Sequence, residues 1–385
     1  MLDFRRLREQ FPDFSDYQAR EQALTASKLR RALAALEACN PAWEALREET
    51  ERARAKWLVA GLRSAPAETH RCGPRPTPVT VVATDGSQIY PDRHVEPTCY
   101  LLNVSRIAFQ YGTLEAPLME AVPEFRYRRS ALEDLIDPLL DTTSTDVISA
   151  LRDEIELREL LRTARESRLP GRPLVALADG TLIRWMIRRM QNPALESRLI
   201  ERYTGILEGF RAEALPLCSY ISMPGNTEVV NLLRVSLGEG DAPDPETTLE
   251  GLPDRKLFEA VLAPGERSAT FESASHIQRE YGENRICYFY LHVPSREGRG
   301  EIGRVEMPLW VADDARLVDL VHAVVLSECE KGDGYPMILS EAHERAVIRA
   351  HEKALFYEMI EREMRKRGLP FAGSRKEASK RRPVV

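Results

Sequence analysis

No Cys-x-x-Cys pair occurs in the 385 residues, and the six cysteines (Cys39, Cys72, Cys99, Cys218, Cys287 and Cys329) stand far apart. That spacing argues against a zinc site and against a disulfide framework. It fits reduced, mostly buried thiols, so a cytoplasmic location is expected. No apolar run reaches membrane-spanning length, and the N-terminus, Met1-Leu-Asp-Phe-Arg-Arg, lacks the apolar stretch of a secretion signal. No membrane partner is expected. Positive charge is not in excess either: the formal net charge is -6, so a nucleic acid would have to meet a local basic surface rather than the average field. A Gly-rich nucleotide loop is also missing. Pro264-Gly-Glu and Gly332-Asp-Gly334 come nearest, and neither is convincing.

What is present is a 43% hydrophobic chain, long enough for a full α/β core in one large domain or two modest ones. One signature occurs twice. Asp85-Gly86-Ser87 follows the apolar run Val79 to Thr84, and Asp179-Gly180-Thr181 follows Leu174 to Ala178. Both runs are rich in β-formers and are introduced by Pro78 and Pro173, so both read as interior strands closed by Asp-Gly turns. Asp-Gly alone is an ordinary turn dipeptide. Two copies at equivalent ends of two similar strands make a better case for carboxylates placed to hold a metal ion.

The remaining pattern organises the chain around these strands. Residues 1 to about 63 have helical spacing interrupted at Asn40-Pro41, which predicts a helical packing or oligomerising region. A Pro-rich connection (64 to 77) leads to the first Asp-Gly strand. Thr98 to Tyr111 and Leu114 to Tyr127 continue it as a β-meander across Gly112. A charged helix is expected from Asp146, as N-cap, to Ser167, with helices over roughly 181 to 190 and 194 to 214 after the second strand. Leu217 to Ile221, Arg285 to Val293 and Glu301 to Leu309 read as a third β region, and 237 to 253 as a surface loop. Two long helices, about 313 to 331 and 340 to 366, precede a basic tail (367 to 385) read as solvated, with phosphate contact its functional alternative.

Two aspartates make an incomplete metal site. The charged helix offers Glu154, Glu156 and Glu159, of which Glu156 shares a face with Leu160, although solvated carboxylates are the rule on such a helix. Of seven histidines, only His343 has a suggestive setting, in the opening turns of a helix after the tight Gly334-Tyr-Pro336 connection. Three carboxylates and one imidazole form a hard donor set that suits Mg²⁺ or Mn²⁺ better than Zn²⁺. A pair of such ions about 4 Å apart implies phosphodiester hydrolysis.

These residues fall in an ordered series of motifs: Val82-Ala-Thr-Asp85-Gly-Ser-Gln-Ile89, Pro91-Asp-Arg-His94, Arg152-x-x-x-Glu156, Ala178-Asp179-Gly-Thr-Leu182, Tyr220-Ile-Ser, Val229-Val-Asn-Leu-Leu233, Pro264-Gly-Glu-Arg-Ser268, Arg304-Val-Glu306, and Gly334-Tyr-Pro336 to Glu341-Ala-His343. In that order, over about residues 80 to 360, the sequence resembles the NurA nucleases, which act on DNA ends alongside the hexameric HerA translocase. The resemblance implies an α/β fold with an RNase H-like core, a mixed β-sheet with flanking helices, spanning 78 to 366 after the N-terminal helical region. It implies two divalent ions, Mn²⁺ or Mg²⁺, with Asp85, Glu156, Asp179 and His343 as ligands and catalytic residues, and Tyr220 as a functional tyrosine. It also implies a homodimer that threads DNA and docks on a HerA-type ATPase ring, with 5′-3′ exonuclease and single-strand endonuclease activity in DNA repair. Met223 departs from the family pattern, which leads one to expect arginine there. The readings that compete with a nuclease are an actin-like or sugar-kinase-like phosphotransferase, because Asp-Gly-[Ser/Thr] turns also cradle phosphates, and a non-catalytic DNA-end adaptor.

Overall fold

The computed structural model describes residues 2–53, 57–92, 98–127, 145–189, 193–239, 248–295, 298 and 300–371. His94, residues 240–247 of the expected 237 to 253 loop and most of the basic tail lie outside the described residues. The N-terminal region is helical, as its spacing predicts: α1 (Phe4–Arg8), α2 (Phe11–Cys39) and α3 (Trp43–Ala53). Two short strands, β1 (Gly61–Leu62) and β2 (Thr69–His70), lead into β3 (Val79–Ile89), β4 (Tyr100–Tyr111) and β5 (Leu118–Arg126). Then come α4 (Thr145–Ser167), β6 (Leu174–Asp179), α5 (Pro193–Ala212), β7 (Leu217–Ser222), α6 (Glu228–Ser236) and α7 (Asp254–Val261). The C-terminal part adds β8 (Arg267–Ser268), β9 (Phe271–Glu272), β10 (Ile286–Val293), β11 (Glu301–Pro308), α8 (Leu309–Ala312), α9 (Ala315–Lys331), α10 (Met337–Ala346) and α11 (Ala350–Lys366).

Among the described residues, these strands form one mixed sheet in the order β1-β9-β10-β11-β7-β6-β3-β4-β5, with β8 and β2 joined to β10. The five strands β5-β4-β3-β6-β7 are the RNase H-like core: an antiparallel meander whose first strand, β3, pairs on its other side with parallel β6, which in turn pairs with parallel β7, both reached through helices. Helices α4 and α5 cover one face with Ile148, Leu151, Ile155, Leu160, Tyr203 and Phe210. On the other face, α9 and α10 pack Val321, Val325, Ile338 and Leu339 against Val81, Ala83 and Leu177. Burial on both faces explains why β3 and β6 read as continuous apolar runs rather than alternating ones. A third cluster joins Ala32, Leu36 and Leu46 of the N-terminal helices to Leu232, Leu233 and Phe258.

Four local expectations are corrected. Asp85-Gly86 does not end its strand: β3 continues to Ile89, with Asp85 opposite Ser105 and Gly86 opposite Val104, because β4 is long enough to satisfy its backbone throughout. The 181 to 190 helix is only a 3-10 turn, Trp185–Arg189. The long helix expected from 340 to 366 is two helices, α10 and α11, broken at Val347 to Arg349. Asp146 lies inside the first turn of α4 rather than capping it. That first-turn place still lets its charge complement the helix dipole.

Candidate metal and catalytic site

The two aspartates meet through strand register. β3 and β6 run parallel with Ala83 opposite Leu177, so Asp85 and Asp179 each stand two residues beyond that pair and share its face. Asp179 is the last residue of β6, and Gly180 turns the chain away with φ +73°, a conformation that favours glycine. Asp85 lies inside β3, where its Oδ1 accepts the Gly86 amide at 2.8 Å.

The break after α10 brings the histidine to them. The Ala346 carbonyl at the helix end accepts Asn103 Nδ2 at 2.8 Å and also the Ser87 hydroxyl. The end of α10 is thereby tied to β3 and β4. Three residues earlier, His343 Nδ1 lies 3.0 Å from Asp85 Oδ2. His343 is 63% exposed at its side chain, so the ring is held on one edge and open on the other. At the start of the same helix, the Tyr335 hydroxyl donates to Asp179 Oδ1 at 2.7 Å. Burial pushes the Tyr335 hydroxyl up, and Asp179 and Asp85 push in the same direction. The phenol therefore remains a donor.

Glu156 arrives from the opposite face on α4. A methyl group at Gly86 would meet Glu156 Oε1 at 2.5 Å and Arg152 Cγ at 2.9 Å. Gly86 is thus the gap through which this carboxylate reaches the strand. Arg152 Nε lies 2.9 Å from Glu156 Oε1, yet neither atom has a hydrogen-bond partner, since the contact is poorly aligned. Arg152 instead bonds Gln88 Oε1 at 3.1 Å and Asp153 Oδ1 at 2.8 Å. Burial, reinforced by Asp153 and Asp85 and opposed by Arg152, pushes the Glu156 carboxyl up to about 8. The two neighbouring glutamates are engaged elsewhere. Glu154 pairs with Arg202 at 2.8 Å, and Glu159 faces Arg106, Arg158 and Arg162.

Tyr220 does not share this arrangement. It is wholly buried, its ring lies over Gly303, and its hydroxyl donates to Glu301 at 3.0 Å. No ring face is left for a base, so the aromatic hydroxyl that reaches the carboxylates is Tyr335, which packs edge-on against Tyr220 at 5.7 Å. Met223 is exposed in a left-handed turn (φ 48°), and no basic group stands in its place. Sequence reasoning missed both Tyr335 and Gly86. The signals were present: a tyrosine between Gly334 and Pro336 just ahead of His343, and a glycine inside a long strand pattern.

The donor set fits a hard divalent cation: three carboxylates, one of them buried with an orphaned oxygen, and one imidazole. Among the described residues no three such side chains already close into a ligand shell. A mixed sheet with carboxylates on adjacent parallel strands and a histidine delivered from a C-terminal helix defines an α/β protein with an RNase H-like core. A model of the NurA domain matches residues 79–348, and the chain belongs to the NurA family. Similar solved structures include the NurA nuclease from Sulfolobus solfataricus, 14% identical over 85% of this chain and 93% of that one, with a TM-score of 0.48. A second NurA structure is 13% identical over 84% and 97% of the two chains, with a TM-score of 0.38. Among curated proteins none matches.

Proposed function

We propose that this protein is a divalent-metal-dependent DNA nuclease that trims DNA ends. One observation carries the reading: Asp85 and Asp179 stand in register on parallel strands, with His343 bonded to the first and Tyr335 to the second. Membership of the NurA family supports it. Asp85, Glu156, Asp179 and His343 would hold the ions, Mn²⁺ or Mg²⁺ and two in number. Bound there, the metal would supply Lewis acidity for attack of water on a phosphodiester.

The chain's own residues set up that attack. Tyr335 donates to one oxygen of Asp179 and leaves the other for a cation. Arg152 offsets charge at Glu156 and keeps the carboxylate beside β3. With Nδ1 directed at Asp85, His343 presents Nε2 to the open side, where its lone pair can take a cation.

The activity is assigned as 5′-3′ exonuclease with single-strand endonuclease action, exercised in double-strand break repair by a homodimer docked on a HerA-type hexameric ATPase. A cleavage assay on DNA labelled at the 5′ or 3′ end, titrated with Mn²⁺, tests the core of this reading. Wild-type protein should release label from the 5′ end first. Asp85→Ala should lower the rate by about a thousandfold or more while the fold melts normally, as expected when a metal-borne charge stabilisation of several kcal/mol is removed. Undiminished cleavage by that variant would sink the site assignment.

A further inference from the structure

A cavity of about 760 Å³ opens beside the loop that follows Asp179, with Thr181 and Ile183 on one side and the rings of Trp57, Trp185 and His276 around it. Its inner wall contains Arg304, wholly buried between the carboxylates of Glu228 (3.3 Å) and Glu306 (2.9 Å). Arg304 Nη2 has no hydrogen-bond partner. Buried donors are rarely left unsatisfied, and those that are commonly await a ligand or an ordered water. Asn226 belongs to the same lining.

The charge at this wall selects the ligand class. Arg304 is matched by Glu228 and Glu306, and Arg188, which also lines the cavity, pairs with Glu196 and Glu280, so neither guanidinium is left without a carboxylate and free to hold a phosphate. Flat aromatic rings above a hydrogen-bonding wall suit a planar, uncharged heterocycle. We propose, building on the nuclease reading above, that this cavity takes one unpaired nucleobase of the substrate strand. The base stacks on Trp185 and turns its polar edge towards Asn226 and Arg304. Because Thr181 lies two residues beyond Asp179, a base held here fixes the register of its strand against the carboxylates. Entry requires the base to be unpaired, so the strand must be melted at the site before it is cut.

The test uses 5′-labelled single strands, each with one abasic nucleotide at a successive position, bound in EDTA to wild-type protein and to Trp185→Ala. Trp185 is 45% exposed, so the variant should melt like wild type. One abasic position near the end should weaken wild-type binding about tenfold and leave Trp185→Ala binding unchanged, the size expected for one stacked base. Inorganic phosphate should compete equally with both proteins. If no position separates the two proteins while wild type still cleaves DNA in Mn²⁺, the cavity assignment alone is overturned. If wild type neither binds nor cleaves DNA, the nuclease reading falls and this inference falls with it.

Discussion

Two acidic clusters in this molecule use the same side chains to opposite ends. At β11, Glu228 and Glu306 clasp Arg304, and all four carboxylate oxygens are partnered: Ser273 and Arg304 on the first, Arg304, Thr181 and the Leu182 amide on the second. At β3 and β6, Asp85, Asp179 and Glu156 gather with few donors, and Glu156 Oε1 has none. Carboxylates so saturated with partners have no oxygen left to offer a cation, and they hold the fold, here by fixing the loop after Asp179. An unsaturated cluster has oxygens to offer, and its cost is what a cation would relieve.

The sharpest way to break this contrast is to damage the saturated cluster. Glu306→Ala leaves Arg304 buried with half of its compensation gone, and should cost about 3–5 kcal/mol of stability in chemical denaturation. A loss below about 1 kcal/mol would mean that the network does not hold the fold. Gly86→Ala tests the unsaturated cluster by steric means. The new methyl must displace Glu156, and a shift of about 1 Å should lower cleavage by about a hundredfold while the melting temperature moves little. Equal rates for variant and wild type would remove Glu156 from the site.

Tyr335→Phe should reduce cleavage by about tenfold, the value of one hydrogen bond to a charged group. Tyr220→Phe should leave the rate unchanged, since that hydroxyl serves Glu301; the reverse ranking would restore Tyr220 to the site. The smallest effect is a pH dependence at the saturated end. Asp254 accepts the Val229 and Val230 amides and the Tyr290 hydroxyl, yet burial pushes its carboxyl up to about 7. A carboxyl raised on folding stabilises most below its unfolded value, near 4, and that contribution is lost as pH rises through 7. The melting temperature should therefore drop by a few degrees between about pH 5 and pH 8, and Asp254→Asn should flatten the drop. An identical slope in the variant would refute the assignment to Asp254.

Much of this was legible in the chain. The apolar runs of β3 and β6 read as interior strands because burial on both faces removes alternation, and the helix of Glu156 read as a helix from its spacing. Asp179-Gly180 is a turn as its dipeptide implies. Asp85-Gly86 is not, because the dipeptide reports local backbone freedom, whereas continuation of β3 depends on a partner strand that ends some 20 residues later. Tyr220 looked functional from its place in a motif. Only packing reveals that its ring is sealed over Gly303.

The sequence by itself determined which residues could do chemistry, since carboxylate, imidazole and phenol are properties of side chains and their strand or helix is set by local pattern. It did not determine which of them meet. Register between β3 and β6, the glycine gap beneath Glu156 and the tether of Ala346 to Ser87 and Asn103 all join parts of the chain roughly 70 to 260 residues apart. Such contacts carry no local signature, because each exists only once the sheet has closed and burial has chosen its partners.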